Sequence, residues 1–178
     1  MRLRSGAVTL ALAGLTQWPG PAWALAGCEA FTAALRAAAG DMQVDFSRAV
    51  VVSRARSDAS VFDVTTRVDV DATLSCRGDE FVRFEARIGE PANARTTTNF
   101  ERFQTAALRA ALGWDPAKSR TVVRGLSADA HEYLNASRER GDVYVAGKTE
   151  EHESGGVSLG MMATDSDRTF VIVGPAGE

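Results

Sequence analysis

The chain has little of what most enzyme chemistry requires. It contains two histidines, His131 and His152, in 178 residues, and no GxSxG, GxGxxG, P-loop or HExxH pattern. An esterase elbow, a dinucleotide fingerprint, a phosphate cradle and a zincin helix are therefore all absent. Long hydrophobic runs are missing too. The longest, Ala7 to Leu15, has nine residues, under half of the roughly 20 that cross a bilayer, so no transmembrane segment is predicted. Positive charge is scarce: removing Arg2 and Arg4 with the first 26 residues leaves 18 basic against 23 acidic side chains, a net charge of −5. Such a surface does not suit nucleic acid or anionic lipid held by charge alone. Beyond residue 26 the only Trp and Tyr residues are Trp114, Tyr133 and Tyr144, thin material for a sugar-stacking groove.

What is present begins with an export signal. Arg2 and Arg4 precede the apolar run, "QWPGP" breaks it, and "ALA" before Gly27 is a small-residue cleavage pattern, so residues 1–26 read as a signal peptide and the protein as periplasmic or secreted. The overlapping "LAGC" is also the pattern that lipoprotein processing uses, which would leave a lipidated Cys28 and a lipid-anchored protein. The cysteine count favours the first reading. Cys28 and Cys76 are the only cysteines, and an even count in an exported chain points to a disulfide, whereas lipidation of Cys28 would strand Cys76. A bridge closing nearly fifty residues stabilises by about 4 kcal/mol in the chain-entropy account.

From Phe62 to Cys76 the residues alternate, with Phe62, Val64, Val68, Val70, Ala72 and Leu74 on one parity and Asp63, Arg67, Asp69 and Asp71 on the other. This is the period of a half-buried strand, long enough to require a bend near Thr66. A second run, "EFVRFEARI", pairs with it most tightly across Arg77, Gly78 and Asp79. That register sets Cys76 against Glu80, Leu74 against Val82, Ala72 against Phe84 and Asp69 against Arg87. It also leaves Phe81 on the wet face beside Arg83, Glu85 and Arg87, a candidate contact patch.

A helix at 28–40 and a strand at 47–55 come before this hairpin. After it, Asn99 reads as the cap of a helix ending at Gly113, a short helical stretch follows Pro116, and Ser127 caps another helix ending at Gly141. Three strands close the chain. "TAALRAAAG" at 32–40 and "TAALRAALG" at 105–113 differ at one position, which suggests a duplicated αβββ unit. The predicted fold is α+β, with antiparallel sheet and helices packed on one face. Residues 27–90 form the first αβββ half, 91–98 a loop, and 99–178 a second helical and three-stranded half in the same compact domain.

Few residues are candidates for chemistry. His131 with Glu132, or His152 with nearby carboxylates, would carry a small hydrolase or isomerase. Glu150, Glu151, His152 and Glu153 are the only arrangement that resembles a metal site, and alternate residues of a strand end cannot all converge on one ion. The expectation is a non-catalytic binding or assembly module without metal or organic cofactor. Its partner is an envelope protein or small ligand, with membrane contact only if Cys28 is lipidated.

Overall fold

In the computed structural model, which describes residues 27–44, 46–54, 59–142, 148–152 and 156–177, the strand expected at 62–76 is two strands joined by a reversal. The elements are α1 (Cys28–Asp41), β1 (Phe46–Arg54), β2 (Ala59–Thr66), β3 (Asp71–Arg77), β4 (Glu80–Gly89), α2 (Ala94–Leu112), α3 (Pro116–Arg140), β5 (Lys148–His152), β6 (Val157–Ala163) and β7 (Asp167–Val173). A 3-10 turn, Pro175–Gly177, follows. The expected leader, residues 1–26, lies outside the described residues.

Alternation runs unbroken through the β2–β3 turn because the register conserves it. Phe62 pairs with Leu74 and Val64 with Ala72, so both strands present the same parity to the same side. The Thr66 hydroxyl donates to the Val70 carbonyl at 3.0 Å and accepts the Val68 N–H at 3.4 Å, while Asp69 takes a left-handed φ of 53° that aspartate tolerates. A two-residue period cannot reveal a turn that keeps its phase.

The β3–β4 hairpin is displaced by two residues from the expected register. Leu74 faces Phe84, Ala72 faces Ala86, and Asp71 rather than Asp69 stands opposite Arg87. An irregularity after Ser75 then sets Cys76 against Phe81 and Arg77 against Glu80, leaving only Gly78 and Asp79 in the connection. An inserted residue flips the parity of what lies beyond it. Phe81 is consequently 1% exposed, not on the charged face, and its ring packs 4.8 Å from that of Phe31, which also sits 5.4 Å from Phe84.

The helices start earlier and run longer than their sequence signals suggested. Asn93, not Asn99, caps α2, its side chain accepting the Thr96 N–H at 2.9 Å, so the threonine-rich stretch expected as a loop is the first turn of the helix. Pro116–Arg140 is one helix rather than two. Asp115 caps it, accepting the N–H groups of Ala117 and Lys118 at 2.8 and 2.9 Å. Ser127 starts nothing. Gly125 is exposed and costs about 1 kcal/mol relative to alanine, which burial of Val123, Leu126, Ala130 and Leu134 along one stripe outweighs.

All strands pair antiparallel in one seven-stranded sheet of order β1-β2-β3-β4-β7-β6-β5. Its first half therefore carries four strands after one helix and its second half three strands after two helices, not αβββ twice. Core residues line up in rows across the sheet: Phe62, Leu74, Phe84, Ile172 and Leu159 in one, and Val64, Ala72, Ala86, Phe170 and Met161 in the next. The three helices lie over this face, α1 against β1 and β4, α2 against β4 and β7, and α3 against β5 and β6. The opposite face carries Asp63, Asp71, Arg83 and Arg87, all exposed.

Two consequences can be measured. Val70, just before β3, is 5% exposed and its neighbour Asp71 faces water, so Val70→Asp should lower stability by more than about 3 kcal/mol in urea denaturation while Asp71→Val stays within ~1 kcal/mol. The hydrogen bonds from Lys118 and Ala117 to the Asp115 carboxylate hold its pKa below the ordinary value, and this outweighs the opposing effect of burial. A depressed native pKa adds stability above the unfolded-state value and loses it as pH falls through the native one. Asp115→Ala should accordingly melt earlier than wild type at pH 7, with the gap closing as pH drops below ~4.

Candidate functional site

Three regions hold the side chains singled out in the sequence. The first is a cleft of about 290 Å³ between α2 and α3, lined in part by Phe100, Gln104, Val123, His131 and Arg168. His131 is exposed on α3, and its Nδ1–H donates to the Ser127 carbonyl one turn earlier at 2.7 Å. Glu101 at the same mouth accepts from Arg124 at 2.8 Å. Deeper in, Arg168 Nε pairs with Glu90 Oε1 and its Nη2 donates to the Thr97 hydroxyl at 3.2 Å. The second Glu90 oxygen accepts the Ala92 N–H at 2.8 Å. These groups are committed to one another. They tie the end of β4, the start of β7 and the first turn of α2, which is a structural task.

Sequence reasoning passed over Arg168. The signal was available: it shares the parity of Phe170 and Ile172, and a cation on the core parity of a strand needs a buried partner.

The second region is the sheet face away from the helices. Arg83 donates to Glu85 at 2.7 Å, and with side chains 45% and 34% exposed the pair is worth at most ~1 kcal/mol. Arg87 stands between Asp71 and Thr169 in the register. With Phe81 in the core, the expected patch has lost the aromatic that made it a contact candidate. Beside it, Asp63, Thr65, Asp71, Thr73, Glu85 and Arg87 line a shallow polar hollow of about 450 Å³.

Of the acidic cluster, only the backbone of Glu150, Glu151 and His152 is among the described residues. The backbone pairs Glu150 with Leu159, Glu151 with Ser158 and His152 with Val157, and Glu153 lies outside the described residues. Among the described residues no group of three His, Cys, Asp or Glu could hold a metal ion, and no helix is long and apolar enough to cross a membrane.

The third region has the physical form of a binding site. A groove of about 850 Å³ runs between α1 and the β2–β3 hairpin. Its floor is Phe62, Leu74 and the disulfide between Cys28 and Cys76, whose Cα atoms are 6.3 Å apart. Thr32, Ala33 and Arg36 from α1 form one wall, and Glu29 and Asp79 close one end. The groove follows from how α1 is seated. Phe31, Leu35, Ala38 and Ala39 turn inward and are buried, so the helix leans toward α2 and leaves Phe62 half covered. The bridge holds the start of α1 over the end of β3, and lipidation would need the Cys28 sulfur that this bridge uses.

No protein-family model matches the chain, and neither a curated protein nor a solved structure matches it.

The contrast between the two ion pairs is testable. Glu90 and Arg168 side chains are 20% and 9% exposed, so Glu90→Ala should cost about 3–5 kcal/mol in urea denaturation by leaving a buried cation alone. Glu85→Ala, which breaks the exposed pair, should cost under ~1 kcal/mol.

Proposed function

We propose that the protein works outside the cytoplasm as a non-catalytic binding or assembly module, receiving an apolar side chain of an envelope protein in the groove beside α1. The observation that carries this reading is the groove itself: an apolar floor of Phe62 and Leu74, stiffened by a disulfide and rimmed by Glu29, Arg36 and Asp79. Concave apolar surface with a few polar groups at its edge is the usual form of a recognition site. Mixed charge at the rim suits orientation of a polypeptide partner more than capture of a strongly charged ligand. Export is supported by the leader pattern in residues 1–26 and by the disulfide, which persists in oxidising compartments. The cleft at His131 supports catalysis less well, because Glu101, Arg168 and Glu90 there are already paired.

Photo-crosslinking in the native host tests the proposal. A photoreactive residue at Ala33, exposed on the groove wall, should give discrete protein adducts, and one at Thr121, exposed on α3, should not. Phe62→Arg, with its melting temperature checked, should remove the Ala33 adducts. Identical adducts from both positions, or none from Ala33 in properly exported protein, would count against the groove.

A further inference from the structure

The start of α1 is capped by a residue from another element. Gly27 precedes the helix in extended conformation and has no side chain to cap it. Asp79, in the β3–β4 turn, takes over that role: its backbone carbonyl accepts the Cys28 N–H at 2.6 Å and its Oδ1 accepts the Glu29 N–H at 3.2 Å. The remaining oxygen points at Gly27. A Cβ placed on Gly27 would lie 2.3 Å from Asp79 Oδ2 and 2.9 Å from its Cγ, and 3.1 Å from its backbone oxygen. A side chain at Gly27 would have to push the Asp79 carboxylate out of this position. Glycine at 27 thus leaves the carboxylate its place at the helix start.

The Gly27 nitrogen is one bond of ~1.46 Å from the Cα that the carboxylate abuts, which places it within about 5 Å of Oδ2. We propose that Asp79 is the seat of an α-ammonium group created at Gly27 when a peptidase hydrolyses the Ala26–Gly27 bond. Water adds across that bond, Ala26 leaves with the new carboxylate, and Gly27 keeps the new amine, protonated at neutral pH. Asp79 then serves three donors, the Cys28 N–H through its backbone carbonyl, the Glu29 N–H through Oδ1 and the ammonium through Oδ2. Removal of the leader completes an ion pair at the helix start, beside the disulfide and at the closed end of the groove. This inference rests on the export reading in "Proposed function".

The ammonium should hold its proton to higher pH than an ordinary terminal amine, which titrates at ~7.7–8.0. Such a raised native pKa gives stability that is present below the unfolded-state value and lost as pH rises through the native one. The test uses protein recovered after export of the full chain in its native host. Intact mass defines the first residue, and competitive acetylation at pH 7 measures the reactivity of its amine, native against urea-unfolded. A chain beginning at Gly27 whose amine labels at least ~3-fold more slowly when folded supports the pair. The slowing should disappear in Asp79→Asn, which keeps an oxygen for the Glu29 N–H. Should that variant not accumulate, the native-to-unfolded ratio of the wild type decides alone. A chain that begins at Gly27 with an ordinary amine overturns the ion pair and leaves export standing. A chain that begins elsewhere after the leader overturns the ion pair and leaves export standing, and one that retains residues 1–26 overturns both.

Discussion

Seven residue pairs between β4 and β7, from Arg83 and Val173 to Gly89 and Asp167, join what would otherwise be two small meanders. Each meander alone has an apolar face that it cannot cover by itself. Joined by their last strands, they make one sheet whose rows of core side chains run from Phe62 to Leu159, and three helices suffice to cover it. The buried Glu90–Arg168 pair sits at the end of this central ladder, where Gly89 faces Asp167. It connects the two strands to the first turn of α2 through Thr97 and Ala92. Breaking the ladder would separate the halves and uncover the helix faces together.

Because the helices cover the sheet unequally, the groove is a consequence of the packing. α2 lies over the centre, where β4 and β7 meet, and α1 packs against α2. The apolar stripe of α1 is narrow, with Phe31, Leu35 and Ala38 inward and Thr32, Ala33 and Arg36 outward. The hairpin of β2 and β3 therefore keeps part of its inner face open, with Phe62 the most prominent residue on it. Three separate links hold α1 in this position: the Cys28–Cys76 bridge, the contacts of Asp79 with the first helix amides, and the stack of Phe31 on Phe81 and Phe84. All three converge on the tip of the β3–β4 hairpin. That tip sets the shape of the groove's closed end.

The register of that hairpin explains why one prediction from sequence held and a neighbouring one failed. Cys76 faces the core in both the expected and the observed pairing, since moving a strand by two residues preserves parity. Phe81 depends on the bulge after Ser75, which no periodicity reports, and so moved from the charged face to the core. The displaced cap of α2 has a similar origin. Thr96, Thr97 and Thr98 have modest helix propensity, but Thr97 is held by Arg168, seventy-one residues away, and tertiary contact outweighs propensity.

By itself the sequence determined the class of fold, the pairing of Cys28 with Cys76, the parity of residues 62–76 and of Val82 to Ile88 less the bulge, and the absence of enzyme motifs, because these are written in composition and in local period. The tertiary structure decided where the alternating run reverses, how the strands are ordered, and that α3 continues past Gly125. It also decided that Glu90 and Arg168 share a buried site. These follow from contacts between residues far apart in the chain, and a turn that keeps its phase or a single bulge leaves no mark on a two-residue repeat. The groove belongs to the second group. Its floor comes from β2 and β3 and its wall from α1, and only their packing leaves Phe62 half uncovered.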